Sequence, residues 1–286
     1  MSLLTYCREG PQRIVCLTEE TTDTLYLLGE SHRIAGISGF TCRPKEARKK
    51  PKVSAFTSAK IDRILELRPD LVIGFSDLQA PIAQDLIEAG INVLVFNQRS
   101  IGEILEMVLA LSRLVAAEAK GLALIAEWER GLTLIREAAA DFPWHPRVFF
   151  EEWSDPLISG IRWVDELIEL AGGAPVFPEF REQQAATGRI VTPERLAEAN
   201  PDVILASWCG RKANKAQIRR RTPEVAAVRN GHVYEIKSTY ILQPGPASLT
   251  EGVRQLHAIF AHVAGGRPAA GLAPEEKMDP DFARGR

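Results

Sequence analysis

One stretch of this chain occurs twice, and the duplication constrains the fold more than any other feature. The first copy covers residues 62–75 and the second 194–208. Asp62 opens one and Glu194 the other; helically spaced apolar residues follow, then Pro69-Asp70 or Pro201-Asp202, then a short run of β-formers. That order reads as helix, tight turn and buried strand. The proline ends the helix because its ring disfavours helical geometry in the residue before it. The likeness extends upstream. Arg13, the apolar run 14–17 and the pair Glu19-Glu20 are matched by Arg147, the run 148–150 and the pair Glu151-Glu152. Two similar α/β lobes with parallel sheets are expected, with a ligand in a cleft between them.

Alternating elements fill an N-terminal lobe, residues 13–100. After the strand 13–17 the pattern predicts a helix over 21–28, capped by Thr21 or Thr22 and stopped at Gly29. A strand over 34–37, a basic loop over 43–52, the first repeat, a helix over 81–89 and a strand over 91–96 follow. Residues 100–140 keep helical periodicity without a proline. They predict a break near Val115 and one long helix over about 117–139, placed between the lobes as a stiff connector (101–145). The C-terminal lobe, 146–264, has a helix over 163–170, a loop over 177–188, the second repeat, a basic run over 211–221, a strand over 233–236 and a closing helix over 248–263. Residues 1–12 read as a tail. Residues 265–286, rich in Gly, Pro, Ala and charge, read as disordered.

Composition removes several function classes. The net charge of −2 and pI near 6.3 favour neither nucleic acid nor an anionic membrane. No apolar run is long enough for a spanning helix. The polar stretch 1–11 lacks the apolar core of a secretory signal, which leaves a cytoplasmic location open. Cys7, Cys16, Cys42 and Cys209 are scattered without Cys-x-x-Cys spacing, against a zinc, redox or disulfide framework. The histidines fall away from the expected strand ends, against a histidine metal site. No phosphate loop, dinucleotide fingerprint, nucleophile elbow or zinc-protease motif occurs.

Ligands of open parallel sheets gather at the carboxyl ends of strands. Those ends hold Glu19, Glu20, Phe40, Phe75, Asn97, Gln98, Glu151, Glu152, Trp153, Trp208, Cys209 and Tyr240. The aromatics suit a flat or bulky ligand; the plain alternative is core or rim packing. The glutamate pairs fit general acid and base, metal ligands, or acceptors for amides, hydroxyls or a cationic group. Their plain alternative is solvated loop acid. Asp62 and Glu194 open equivalent helices, where an acid stabilises the N-terminus by roughly 0.3–1 kcal/mol; one matched acid per lobe also suits a symmetric partner. The basic runs read as solvated faces, and Cys209 as a buried thiol.

The strand 13–17, the segment 25–29, both repeats, the segment 157–160 and the segment 170–173 together resemble the helical-backbone (class III) substrate-binding proteins of ABC importers. Within that family the chain is most similar to cobalamin binders. The resemblance covers about residues 13–263 and implies two Rossmann-like lobes, one connecting helix, little hinge opening and no catalysis. It implies a corrinoid as transported ligand rather than a cofactor, an ABC permease partner, a monomer, and a periplasmic or cell-envelope location. The aromatic positions it implies for the cleft are Phe40, Phe56 and Phe75. In the second lobe Glu151, Glu152, Trp153, Trp163, Trp208 and Gln243 take that work, and Tyr240, at a strand end, is a further candidate. Asp62 and Glu194 match the acids that such proteins present to permease arginines, with Asp62 where glutamate is usual. The glutamate pairs depart from the pattern and keep another ligand open: an iron chelate, haem or a cationic organic molecule, in an intracellular relative that does not dock to a permease.

Overall fold

Both repeats fold as helix, turn and strand, and the structure shows what their shared Pro-Asp does. A computed structural model of the protein describes residues 10–282. The Asp70 carboxylate accepts from the backbone N–H groups of Gln12 (2.6 Å) and Arg13 (3.0 Å), and its own N–H donates to Arg13 O at 3.0 Å. In the second copy Asp202 accepts from Arg147 N (2.9 Å) and donates back to Arg147 O (2.8 Å). The aspartate therefore clamps the start of the first strand of its own lobe to the strand that follows the turn. Arg68 and Asn200, just before the prolines, end their helices in the left-handed region at φ 47° and 43°. That conformation stops the helix and turns the chain within one residue.

The chain divides into two units. The first holds the residues up to Gln98 and Gly102–Glu127; the second holds Arg99–Ile101 and everything from Trp128. The first unit runs β1 (Ile14–Cys16), α1 (Glu19–Leu27), β2 (Ile34–Ser38), β3 (Lys52–Ala55), β4 (Ser58–Ala59), α2 (Ile61–Glu66), β5 (Leu71–Phe75), α3 (Ala80–Glu88) and β6 (Val93–Phe96). Its sheet has the order β4-β3-β2-β1-β5-β6 and is parallel except between β3 and β4. Strand residues alternate between two buried faces. Ile14, Cys16, Ile37 and Ile73 pack with Leu25 and Leu111, whereas Val15, Leu17, Val53 and Val72 pack with Ile64 and Leu86. Burial on both faces is what a parallel sheet requires. The basic stretch read as loop leads straight into two short strands that the sequence reading did not separate, β3 and the edge strand β4, with Val53 of β3 buried.

Two helices follow: α4 (Ile101–Leu114) and α5 (Glu118–Ala140). Ala116, at φ 58°, makes the break between them. α5 is the expected long helix, and it belongs to the first unit as far as Glu127 and to the second from Trp128.

The second unit adds β7 (Arg147–Ser154), β8 (Leu157–Ser159), α6 (Arg162–Leu170), β9 (Ala174–Pro175), α7 (Pro193–Ala199), β10 (Val203–Ala206), α8 (Lys215–Arg221), α9 (Ala226–Arg229), β11 (Val233–Glu235), α10 (Ser238–Ile241) and α11 (Val253–Ala264). The sheet order is β11-β10-β7-β8, with β9 also on β7; only β7–β8 is antiparallel. The segment Ser248–Gly252 enters α11 as one π-helical turn.

Two differences from the sequence reading bear on function. First, the glutamate pairs are not equivalent. Ile14 pairs with Leu71 and Val148 with Val203, the first residues after Pro-Asp in each copy. Counting on from these, Glu151 corresponds to Leu17, and Trp153 to Glu19. β1 ends at Cys16 and Glu19-Glu20 open α1, two residues earlier than expected, whereas β7 continues through both of its glutamates. Second, the stretch 265–282 is packed, not loose. Ala269, Asp279 and Phe282 are buried, and the segment is hydrogen-bonded to α11, α8 and β11. The calls on residues 1–9, which include Cys7, and on 283–286 lie outside the described residues. Among the described residues no helix is long and apolar enough to cross a membrane.

Candidate functional site

In the first unit the carboxyl end of the sheet carries acids and aromatics. Glu19 and Glu20 fall in the first turn of α1 and are buried. Glu19 Oε1 accepts from Cys42 N at 2.9 Å, and Glu20 Oε1 accepts from the Thr18 hydroxyl at 2.5 Å. The second carboxylate oxygen of each has no hydrogen-bond partner. Burial pushes both carboxyls up to about 7, because the charged form loses its hydration. One turn on, Asp23 is also raised by burial, opposed by Arg43, whose Nε lies 3.8 Å away. Acids that titrate near neutrality are partly protonated there and can both donate and accept hydrogen bonds.

Aromatics lie at or just past the ends of β2, β3 and β5. Phe40 is 50% exposed, an unusual placement for so apolar a ring. Half-buried Phe56 lies 6.4 Å from the ring of buried Phe75. Gln79 fixes both segments: its amide donates to Phe56 O at 2.8 Å, and its carbonyl accepts from Phe75 N at 2.9 Å. Leu78, 56% exposed, adds to this apolar edge.

In the second unit the acids are already matched by cations of the same chain. Glu151 is fully buried in β7. It accepts from Trp208 Nε1 at 3.2 Å and from Arg221 Nη2. Burial raises its pKa and the Arg221 guanidinium opposes that rise. Glu152 takes a two-pronged bond from Arg189, at 2.6 and 3.3 Å. Arg189 is 1% exposed and also donates to Ser159 O. Burial pushes nearby Asp165 up to about 7, with Arg181 and Arg189 opposing. The reading of Glu151 and Glu152 as solvated acids, or as free acceptors for a cation, is therefore corrected. So is the reading of 211–221 as a wholly solvated face, since Arg221 reaches inward.

The remaining residues divide by exposure. Trp153 is half-buried, its N–H donates to Asp155 O at 3.0 Å, and Arg211 lies 5.3 Å from its ring centre. Gln243 is half-buried. Tyr240 is buried, with Lys237 Nζ 5.7 Å from its ring centre. Trp208 belongs to the hydrophobic core and turns its N–H to Glu151. Trp163 is buried, and its N–H donates to Ile241 O at 2.9 Å, so it is a packing residue. Cys209 is exposed, not buried. Asp62 and Glu194 are exposed in the first turns of α2 and α7. Glu194 is held below the ordinary carboxylate range by its own backbone N–H and the Thr192 hydroxyl. Among the described residues no cluster of three metal-ligating side chains occurs.

The model of periplasmic binding proteins matches residues 14–240, from β1 to α10. The chain belongs to the periplasmic binding protein family. Like the family, it is a non-catalytic substrate-binding protein of the ABC-transporter type. It is 26% identical over 251 residues, 87% of this chain and 89% of the relative, to a protein named vitamin B12-binding protein from Vibrio parahaemolyticus. The crystal structure of the periplasmic vitamin B12 binding protein of Vibrio cholerae superposes with a TM-score of 0.72 at 23% identity, covering 89% of this chain and 98% of that one. A periplasmic heme-binding protein from Roseiflexus sp. RS-1 gives 0.77 at 21%, covering 89% and 100%. The two-lobe α/β fold of this periplasmic binding protein is thus shared by proteins whose ligands differ.

Proposed function

We propose that the protein binds cobalamin or a related corrinoid and delivers it to an ABC importer. The observation that carries this reading is the pair Glu19 and Glu20, each buried, each with an unbonded oxygen and each titrating near neutrality. A corrinoid presents a rim of neutral carboxamides, which such half-protonated acids serve as donor and acceptor. Haem presents propionates and ferric catecholates carry negative charge, and the ionised fraction of these acids disfavours both. Phe40, Phe56 and Phe75 supply apolar surface for the flat ring. Trp153, Gln243 and Glu152 are the contacts assigned to the second unit, with Trp208, Glu151 and Tyr240 as support. The relative named for vitamin B12 agrees with this choice. Asp62 and Glu194, exposed at matching helix starts, are assigned to permease docking.

A cationic organic ligand is the second reading, and the same Glu19 and Glu20 favour it. Glu151 and Glu152 do not, because Arg221 and Arg189 already neutralise them. Calorimetry at pH 7 with cyanocobalamin, haemin, a ferric hydroxamate and a quaternary ammonium compound separates these outcomes. Binding of cyanocobalamin at least about tenfold tighter than the others, roughly 1.4 kcal/mol, is expected. Tighter binding of any of the other three would overturn the proposal.

A further inference from the structure

The C-terminal segment beyond α11 lies past the residues that the family model matches, yet it is tied down along its length. Ala269 N donates to His257 Nε2 at 3.0 Å. That bond fixes the His257 tautomer, so Nδ1–H donates to Ala171 O, also at 3.0 Å. Glu275 N donates to Glu251 at 2.9 Å. Asp279 accepts from Lys215 Nζ at 2.7 Å and from Glu235 N at 2.5 Å. Asp281 accepts from Lys215 Nζ at 2.5 Å and from Arg219 Nη2 at 3.3 Å. Phe282 closes the strap edge-on against Tyr234 and His262.

We propose that this strap is a brace for α8, so that Lys215 and Asp279 are positioning residues for the Arg221–Glu151 pair. α8 has only seven residues, too short to hold itself without tertiary support. Lys215 and Arg219, spaced i and i+4, point to the strap, while Ile218 is buried and Arg221 reaches Glu151. One face of the helix is locked by Asp279 and Asp281, and the other delivers the guanidinium to β7. Arg221 is the charged group facing Glu151; on the same strand Glu152 is matched by Arg189. The strap therefore bears on Glu151, on the strand that also carries Glu152 and Trp153. The consequence for binding rests on the ligand reading above; the brace itself does not.

The test uses the full chain labelled with 5-fluorotryptophan. The ¹⁹F resonance of Trp208, assigned with Trp208→Phe, reports on Glu151 through the Trp208 Nε1 bond. Lys215→Met and Asp279→Asn are expected to shift that resonance and raise the pH midpoint of its titration, because Arg221 withdraws; Lys215→Arg keeps the wild-type profile. Cyanocobalamin affinity should fall about threefold or more in the first two variants. A lower melting temperature with an unmoved Trp208 titration would overturn the brace and leave the strap a merely stabilising segment. A moved titration with unchanged cyanocobalamin affinity would support the brace and remove Glu151 from the ligand site. Failure of the wild-type protein to bind cyanocobalamin would count against the ligand reading, with the ¹⁹F result still deciding the brace.

Discussion

Glu20→Gln is expected to make the protein more stable at pH 8 by about 2–3 kcal/mol and to change it little at pH 4. Glu20 is 2% exposed, and burial lifts its pKa from 4.5 to about 7. Between those values the folded protein keeps a proton that the unfolded chain has released. The stabilising contribution is therefore complete below pH 4.5 and is lost as the pH rises through 7. A shift of this size is worth about 3 kcal/mol per group at alkaline pH, the cost of ionising a carboxyl that has no hydration. Glutamine keeps the shape and the bond from Thr18 without the charge. Urea unfolding at the two pH values checks this; equal differences at both would mean that Glu20 has the same pKa in the folded and unfolded chain. Glu19, raised to the same value, should behave alike. Ligand affinity should carry the same pH signature, falling above pH 7 if the neutral acids serve an amide.

Arg189→Ala is expected to destabilise the second unit by about 3 kcal/mol, because it strands Glu152 and the Ser159 carbonyl without their donor. Glu152 keeps a side-chain exposure of 22%, so water softens the loss relative to a fully buried pair. Replacing both partners, Arg189→Met with Glu152→Gln, should recover most of the stability, since neither charge is then left alone. Denaturant midpoints of the single and double variants decide the point. A double variant as unstable as Arg189→Ala would show that the arginine acts by packing and through Ser159 alone.

The repeated helix-turn-strand units were readable from sequence, and several short or loop-like segments were missed. Pro69-Asp70 and Pro201-Asp202 mark their turns because the aspartate must reach a backbone partner one strand away, and that need restricts residue type. The helix of residues 118–140 was visible from periodicity alone. β8 and β9 were not, since strands of three and two residues carry too little alternation to stand out. Arg189 directly follows the stretch 177–188 that reads as a loop; its one signal is a cation followed by Ile190 and Val191. Arg221 ends a run of three arginines that looks solvated, although helical spacing from buried Ile218 turns it inward. The strap has a composition suited to disorder, and its order rests on a few residues, Ala269, Asp279 and Phe282, whose partners are far away in the chain. Aromatics were legible as residue types at strand ends, whereas the ion pairs that neutralise Glu151 and Glu152 depend on contacts between distant segments.

Mass spectrometry of the small molecules that copurify with the protein from its native source tests most directly whether the cargo is a corrinoid. A cobalt-containing corrinoid in stoichiometric amount is expected. A haem, a ferric siderophore or an organic cation in its place would contradict that reading.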